Sequence, residues 1–169
     1  MNLQSCKRII VIGCPGSGKS TFSKALHHIT GIPLFHLDML FWNPDQTTVE
    51  KSVFLERLSQ TIQKSRWILD GNYASTMELR LQACDTVIFL DYPLAVCLDG
   101  IRERRGKPRS DIPWIETDTE DAEFIRFIQN YNSQSRPQVM DLLAKYPCKN
   151  IHIFKSRTEA DAFLAQMEK

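Results

Sequence analysis

Short apolar runs alternate along the chain with stretches whose apolar residues recur at helical spacing. The runs 8–12 (RIIVI), 33–37 (PLFHL), 67–69 (WIL), 87–90 (VIFL) and 151–154 (IHIF) are nearly continuous in apolar residues, as in strands of a sheet covered on both faces. Between them, Phe22, Leu26 and Ile29 fall at i, i+4, i+7, and Phe54, Leu58 and Ile62 repeat the stripe. Leu94, Cys97, Leu98 and Ile101 mark a third helix, and Phe124, Phe127, Ile128 and Tyr131 a fourth. Thr47 and Glu50 are spaced as a capping box for the second of these helices. Pro137 is expected to break or kink the chain, leaving 138–146 as a separate set of helical turns; 158–167 reads as a terminal helix. The alternation predicts an α/β doubly wound domain with a parallel sheet and right-handed crossovers. Two segments fit that core poorly. The crossover 38–66 is longer than one covering helix requires, and 102–120 is polar, charged and without periodicity, so both read as mobile flaps above the sheet.

At 169 residues the chain suits one domain, 1–169. Its 21 Lys+Arg against 20 Asp+Glu leave a net charge of +1, without the broad positive field of a dedicated nucleic-acid binder. No apolar run has the length of a secretory or membrane-spanning segment, so the expectation is a soluble, cytoplasmic protein. Five cysteines without a Cys-x-x-Cys pair read as reduced thiols, mostly core.

The most specific chemistry is Gly13-Cys14-Pro15-Gly16-Ser17-Gly18-Lys19-Ser20, a full G-x-x-x-x-G-K-[ST] match between the first strand and the first helix. Glycines let backbone N–H groups turn inward around phosphate oxygens, and the helix start adds partial positive charge. Residues 13–21, Thr21 included, are the expected triphosphate site. Lys19, on a solvent-facing loop, reaches the β and γ phosphates, and Ser20 places its hydroxyl on Mg²⁺. Cys14 reads as a small side chain tolerated in the loop, since nothing in the sequence sets a second cysteine beside it.

The guanine motif Asn-Lys-x-Asp, the Asp-x-x-Gly switch and Leu-Ser-Gly-Gly-Gln are absent, which argues against a GTPase or a transporter ATPase. Small size and two flaps suit a small-molecule or nucleotide kinase. Over nearly its whole length the chain resembles the adenylate kinase superfamily, and within it the bacterial DNA topology modulation (FlaR-like) proteins. The resemblance rests on the phosphate loop, His36-Leu37-Asp38 with Trp42, Trp67-Ile68-Leu69-Asp70-Gly71-Asn72-Tyr73, Leu79-Arg80-Leu81, Phe89-Leu90-Asp91-Tyr92-Pro93 and Ser135-Arg136-Pro137. It implies a three-layer P-loop fold with five parallel strands in the order 2-3-1-4-5, a flap over the acceptor (38–66), a lid (102–120), and ATP with Mg²⁺. Phe41 stands where adenylate kinases carry a substrate-binding Arg, and Asn72-Tyr73-Ala74 replaces the continuation of their Asp-Gly-Phe-Pro-Arg motif. AMP is therefore an unexpected acceptor. Arg80, Arg126 and Arg136 are the cations left to compensate.

In an open α/β sheet the site lies beyond the carboxyl ends of the strands, where Asp38, Asp70 and Asp91 all fall. One is expected to hold Mg²⁺ through its waters and another to receive the proton of an attacking hydroxyl. The resemblance puts Asp70 on the metal side. It makes Asp38 the base or acceptor-orienting group, as in small-molecule kinases such as shikimate kinase, which carry an acid after the second strand. Asp91, before Tyr92-Pro93, reads as a plain turn residue, and His36 as a core histidine or a pocket wall. Arg102, Arg104, Arg105, Lys107 and Arg109 put five cations in eight residues, expected to close over the γ-phosphate with Arg102 and Arg105 on one face. Arg109 and Arg136 join the nucleotide contacts. The acidic stretch 116–123 is expected to solvate the lid and cap the next helix. Phe41, Trp42 and Tyr73 border the expected acceptor pocket, either to stack on a ring of the acceptor or to bury the flap. The function so read is phosphoryl transfer from MgATP to a small-molecule, nucleoside or nucleotide acceptor. The alternative is a regulatory nucleotide-binding protein associated with DNA topology, against which the near-neutral charge counts.

Overall fold

The computed structural model describes residues 6–114 and 121–167. Five parallel strands, β1 (Arg8–Gly13), β2 (Leu34–His36), β3 (Trp67–Asp70), β4 (Thr86–Leu90) and β5 (Asn150–Phe154), lie in the order β2-β3-β1-β4-β5. The helices are α1 (Lys19–Thr30), α2 (Leu37–Phe41), α3 (Lys51–Ile62), α4 (Ala74–Ala83), α5 (Leu94–Arg104), α6 (Ala122–Ala144) and α7 (Arg157–Met167). Because strand side chains alternate between faces, the continuous apolar runs feed two cores. Ile9, Val11, Ile68, Ile88 and Leu90 pack with Phe22, Leu26, Cys97, Ile101, Ile128 and Ala160. Ile10, Ile12, Trp67, Leu69, Val87 and Phe89 pack with Leu37, Phe54, Leu58, Met77, Leu81, Val139 and Leu143. This is the expected three-layer architecture and strand order.

Three local expectations are corrected. Pro137 does not end a helix: α6 runs 23 residues through it, about 35 Å at the usual rise. Ile128 and Tyr131 before the proline are anchored in one core and Val139 and Leu143 after it in the other, so burial on both sides holds the helix together. Thr47 and Glu50 form no capping box. The Thr47 hydroxyl donates to Asp45 Oδ1 at 2.6 Å within a tight turn, and α3 starts after Glu50 without a side-chain cap. The strand expected over 33–37 ends at His36, and Leu37 and Asp38 open the short helix α2. The crossover 38–66 thus holds two helices, and α4, unmarked by periodicity, covers the stretch after β3. The part of the acidic stretch that is described caps α6: Asp121 accepts from the backbone N–H of Glu123 and Phe124 at 2.9 and 3.1 Å. Residues 115–120 of the expected lid lie outside the described residues.

The phosphate loop is seated on α5 by two glycines. A Cβ on Gly16, at φ +83°, would lie 1.9 Å from the carbonyl oxygen of Cys97; one on Gly100 would lie 2.1 Å from the carbonyl oxygen of Gly16. Backbone meets backbone there, so neither side can yield by a rotamer change. Gly100→Ala should therefore lower stability by about 1–3 kcal/mol through overpacking, although alanine is the better helix former. Urea denaturation checks the sign.

Candidate active site

The loop 14–17 turns from β1 into α1, with Ser17 N–H bonded to the Cys14 carbonyl at 3.1 Å and Gly18, at φ +89°, as the N-cap. Lys19 is not extended into solvent: its Nζ donates to the carbonyls of Gly13 (2.9 Å) and Cys14 (3.1 Å). Burial lowers its pKa, opposed by the charges of Asp70 and Asp38, so both carboxylates bear on this ammonium. Ser17 is buried and its Oγ has no hydrogen-bond partner. Pro15, Gly16 and Gly18 are partly exposed, as is Ser20, and Thr21 is exposed in the first turn of α1. Cys14 does have a neighbouring cysteine: Cys97 of α5 bears on it, and that interaction together with burial pushes its thiol up. Packing of the loop on α5 made this pair, across 83 positions that local sequence does not connect. None of the five cysteines forms a disulfide, and Cys148 is the exposed one among them.

The segment after β3 ties the site together. In the β2/β3 register His36 faces Asp70, and His36 Nδ1 lies 2.8 Å from Asp70 Oδ1. Asp70 Oδ2 is buried without a partner. The Asn72 carboxamide grips Gly13 twice, Oδ1 accepting from its N–H at 3.0 Å and Nδ2 donating to its carbonyl at 2.5 Å. The Tyr73 hydroxyl donates to Asp38 Oδ1 at 2.5 Å. Burial raises the Asp38 pKa against that hydrogen bond and the charge of Lys19. Tyr73 is left-handed, at φ +36°, and Arg80 holds the turn. Arg80 is fully buried and donates to the carbonyls of Gly71 (3.0 Å), Asn72 and Tyr73 (3.2 Å), and burial lowers its pKa to about 10. Phe41, Trp42, Phe54 and Tyr73 form a ring cluster, joined by Trp114, whose ring meets that of Trp42 at 5.3 Å. The roles of Asn72 and Trp114 were missed in the sequence; the asparagine's position inside the Asp-Gly motif was the available signal.

The cations divide differently from expectation. Arg102 is exposed and pairs with Asp99 at 2.9 Å, while Arg105 is the half-buried C-cap of α5. The charges that bear on Lys19 and Asp38 are instead those of Arg104 and Arg109. Helical spacing explains the shift: Arg104 follows the buried Cys97 and Ile101 at i+7 and i+3, whereas Arg102 follows Asp99 on the outer face. Arg109 and Ser20 both bond the buried Asp111, which sequence reading passed over as lid surface. Asp91 is no plain turn residue: Arg136 grips it with Nε (2.7 Å) and Nη2 (2.8 Å), and Lys155 pairs with it as well. Burial works to raise Asp91, and these cations overcome it and hold the carboxyl below its usual range. Arg136 is thereby committed to Asp91 rather than open to a nucleotide.

Among the described residues no three His, Cys, Asp or Glu side chains cluster to cage a metal. Mg²⁺ does not require a cage, since it keeps several waters and binds through one or two protein groups and phosphates. The orphaned Asp70 Oδ2 and the Ser20 hydroxyl suit a hydrated cation, and the unpartnered Ser17 Oγ suits a phosphate oxygen. No helix among the described residues is long and apolar enough to cross a membrane.

Fold and loop together define a P-loop kinase fold, and the comparisons agree. The chain is similar to shikimate kinase from Acinetobacter baumannii in complex with shikimate, at TM-score 0.64 and 14% identity, covering 98% of this chain and 92% of that one. Shikimate kinase from Bacteroides thetaiotaomicron gives 0.60 and 18%, covering 97% of each chain. A sugar kinase from Janibacter sp. gives 0.55 and 13%, covering 95% and 91%. No family model matches the sequence, and no curated protein does.

Two outcomes follow from the clamp. The Asp38 carboxyl should titrate above the ordinary aspartate value of about 3.9, and higher still in Tyr73→Phe, because the hydroxyl stabilises the ionised form; side-chain ¹³C NMR reads both. Folding favours the neutral acid there, so Asp38 subtracts stability as pH rises past the unfolded value. Arg80→Ala should cost about 3–5 kcal/mol in urea denaturation, from a cavity and three carbonyls that lose their donor.

Proposed function

We propose that this protein, one P-loop kinase-like domain over 1–169, transfers the γ-phosphoryl group of ATP to the hydroxyl of a small-molecule acceptor. The observation that carries the reading is Lys19 folded into its loop with Asp38 and Asp70 both bearing on it. Residues 13–21 hold the triphosphate and Lys19 moves from loop carbonyls to phosphate oxygens. Asp38, held by Tyr73, takes the acceptor's proton. The acceptor oxygen bonds to the γ-phosphorus, the bond to the bridging oxygen breaks, and ADP leaves. Ser20 and Asp70 would be the protein-side groups for Mg²⁺, which when bound would supply charge neutralisation on the phosphates. Crossover 38–66 covers the acceptor, and the described part of 102–120 closes over the phosphates through Arg104 and Arg109. The small-molecule kinases that share the fold support this choice of acceptor class.

AMP should be a poor acceptor. Phe41 is packed against Phe54 and Tyr73, Arg80 is spent on backbone carbonyls, Arg136 is spent on Asp91, and Arg126 is exposed. A phosphate dianion in a closed site without such partners is costly.

A screen of nucleosides, nucleotides and small alcohols for acceptor-dependent ADP formation with Mg²⁺ and ATP tests the reading. Lys19→Ala should abolish turnover while the protein stays folded, and Asp38→Asn should slow transfer by about 10²–10⁴-fold with ATP binding retained. A folded Lys19→Ala protein with unchanged ATP affinity and turnover would sink the assignment. AMP turnover of roughly 1–100 per second, the usual kinase range, would show that other cations hold a monophosphate.

A further inference from the structure

Ser20 is the loop residue whose hydroxyl would meet a cation, and its proton is already spoken for. Ser20 Oγ donates to Asp111 Oδ2 at 2.7 Å, across 91 positions of sequence. Asp111 is 5% exposed, and Arg109 grips the same carboxylate through Nε at 3.1 Å and Nη2 at 2.6 Å. A serine hydroxyl has one proton and two lone pairs. With the proton directed at Asp111, the lone pairs are turned to the other side of the oxygen. Asp70, the strand-end carboxylate, has its Oδ1 on His36 instead.

Resting on the reading that the loop binds a Mg²⁺-nucleotide, we propose that Asp111 is a positioning residue that orients Ser20 for the metal. The carboxylate that fixes the metal-side serine thus comes from the cation-rich segment after α5 and not from a strand end. Metal on the Ser20 oxygen makes its proton a stronger donor to Asp111, so metal loading and the seating of 105–114 reinforce one another. The same segment carries Arg109, whose charge bears on Asp38, and Trp114, which meets Trp42. One short stretch therefore serves the metal-side serine, the proposed base and the ring cluster at once.

The test measures binding of a non-hydrolysable ATP analogue to the full chain by calorimetry, across a Mg²⁺ series and in EDTA. Asp111→Asn should raise the Mg²⁺ needed for half-maximal tightening by about 10–100-fold, the usual cost of losing a group that orients a metal ligand. Because Arg109 also changes partner in this variant, the readout is the Mg²⁺ dependence of the affinity and not the affinity in EDTA, which serves as the metal-free reference for each protein. Asp111→Glu keeps a carboxylate for Arg109 while moving it off Ser20; it should show the same loss and serves if the Asn variant does not fold. In a Ser20→Ala background, Asp111→Asn should add nothing to the Mg²⁺ requirement. An unchanged requirement in folded Asp111 variants overturns the proposal. Tighter Mg²⁺-dependent binding overturns it too, since Asp111 would then be competing with the metal for Ser20. Wild-type protein that binds no analogue with or without Mg²⁺ overturns the nucleotide reading itself, and the proposal with it.

Discussion

One buried guanidinium holds the centre of this structure in place. Arg80 donates to three consecutive backbone carbonyls, those of Gly71, Asn72 and Tyr73, and fixes a turn in which a tyrosine adopts a left-handed conformation. From that turn Asn72 reaches the end of β1 and Tyr73 reaches Asp38, while the preceding Asp70 meets His36. Phosphate loop, proposed base and the C-terminal end of β3 are therefore referenced to one rigid element. Burial of a cation is expensive, and here the expense secures geometry across three strands at once. Neutral donors would not span three carbonyls from one side chain; the guanidinium carries five N–H groups in a fixed fork.

Charge is partitioned accordingly. Asp91 is shared by Arg136 and Lys155 between β4, α6 and the end of β5, so both of these cations are already engaged by a carboxylate on that side of the site. On the other side the charges of Asp70 and Asp38 support the Lys19 ammonium, while burial and the charge of Arg104 work against it. Asp38 is the exception, a carboxylate lifted by burial and steadied by a tyrosine, which suits it to accept a proton. Trp114 joins the ring cluster beside it through Trp42, so the segment that bonds Ser20 also reaches the surroundings of Asp38.

What the sequence determined by itself is whatever depends on neighbours within a few residues. The phosphate loop is such a feature, because glycine freedom, the following helix start and Lys19-Ser20 act within eight positions. The apolar runs are another: they placed all five strands to within one residue at each end, and with the resemblance their order. Tertiary structure alone decided the pairings. His36 and Asp70 are 34 positions apart, Asp91 and Arg136 45, and Ser20 and Asp111 91. Even where one partner, like Ser20 or Asp70, stands out within a motif, nothing in its neighbouring sequence names the other. The same holds for Pro137, whose local preference to stop a helix lost to burial of α6 on both sides of it, and for Arg102, whose helix face was set by what α5 buries. Local rules choose the conformations open to a segment, but the free energy that selects one comes from apolar area and buried charge shared between segments distant in the chain.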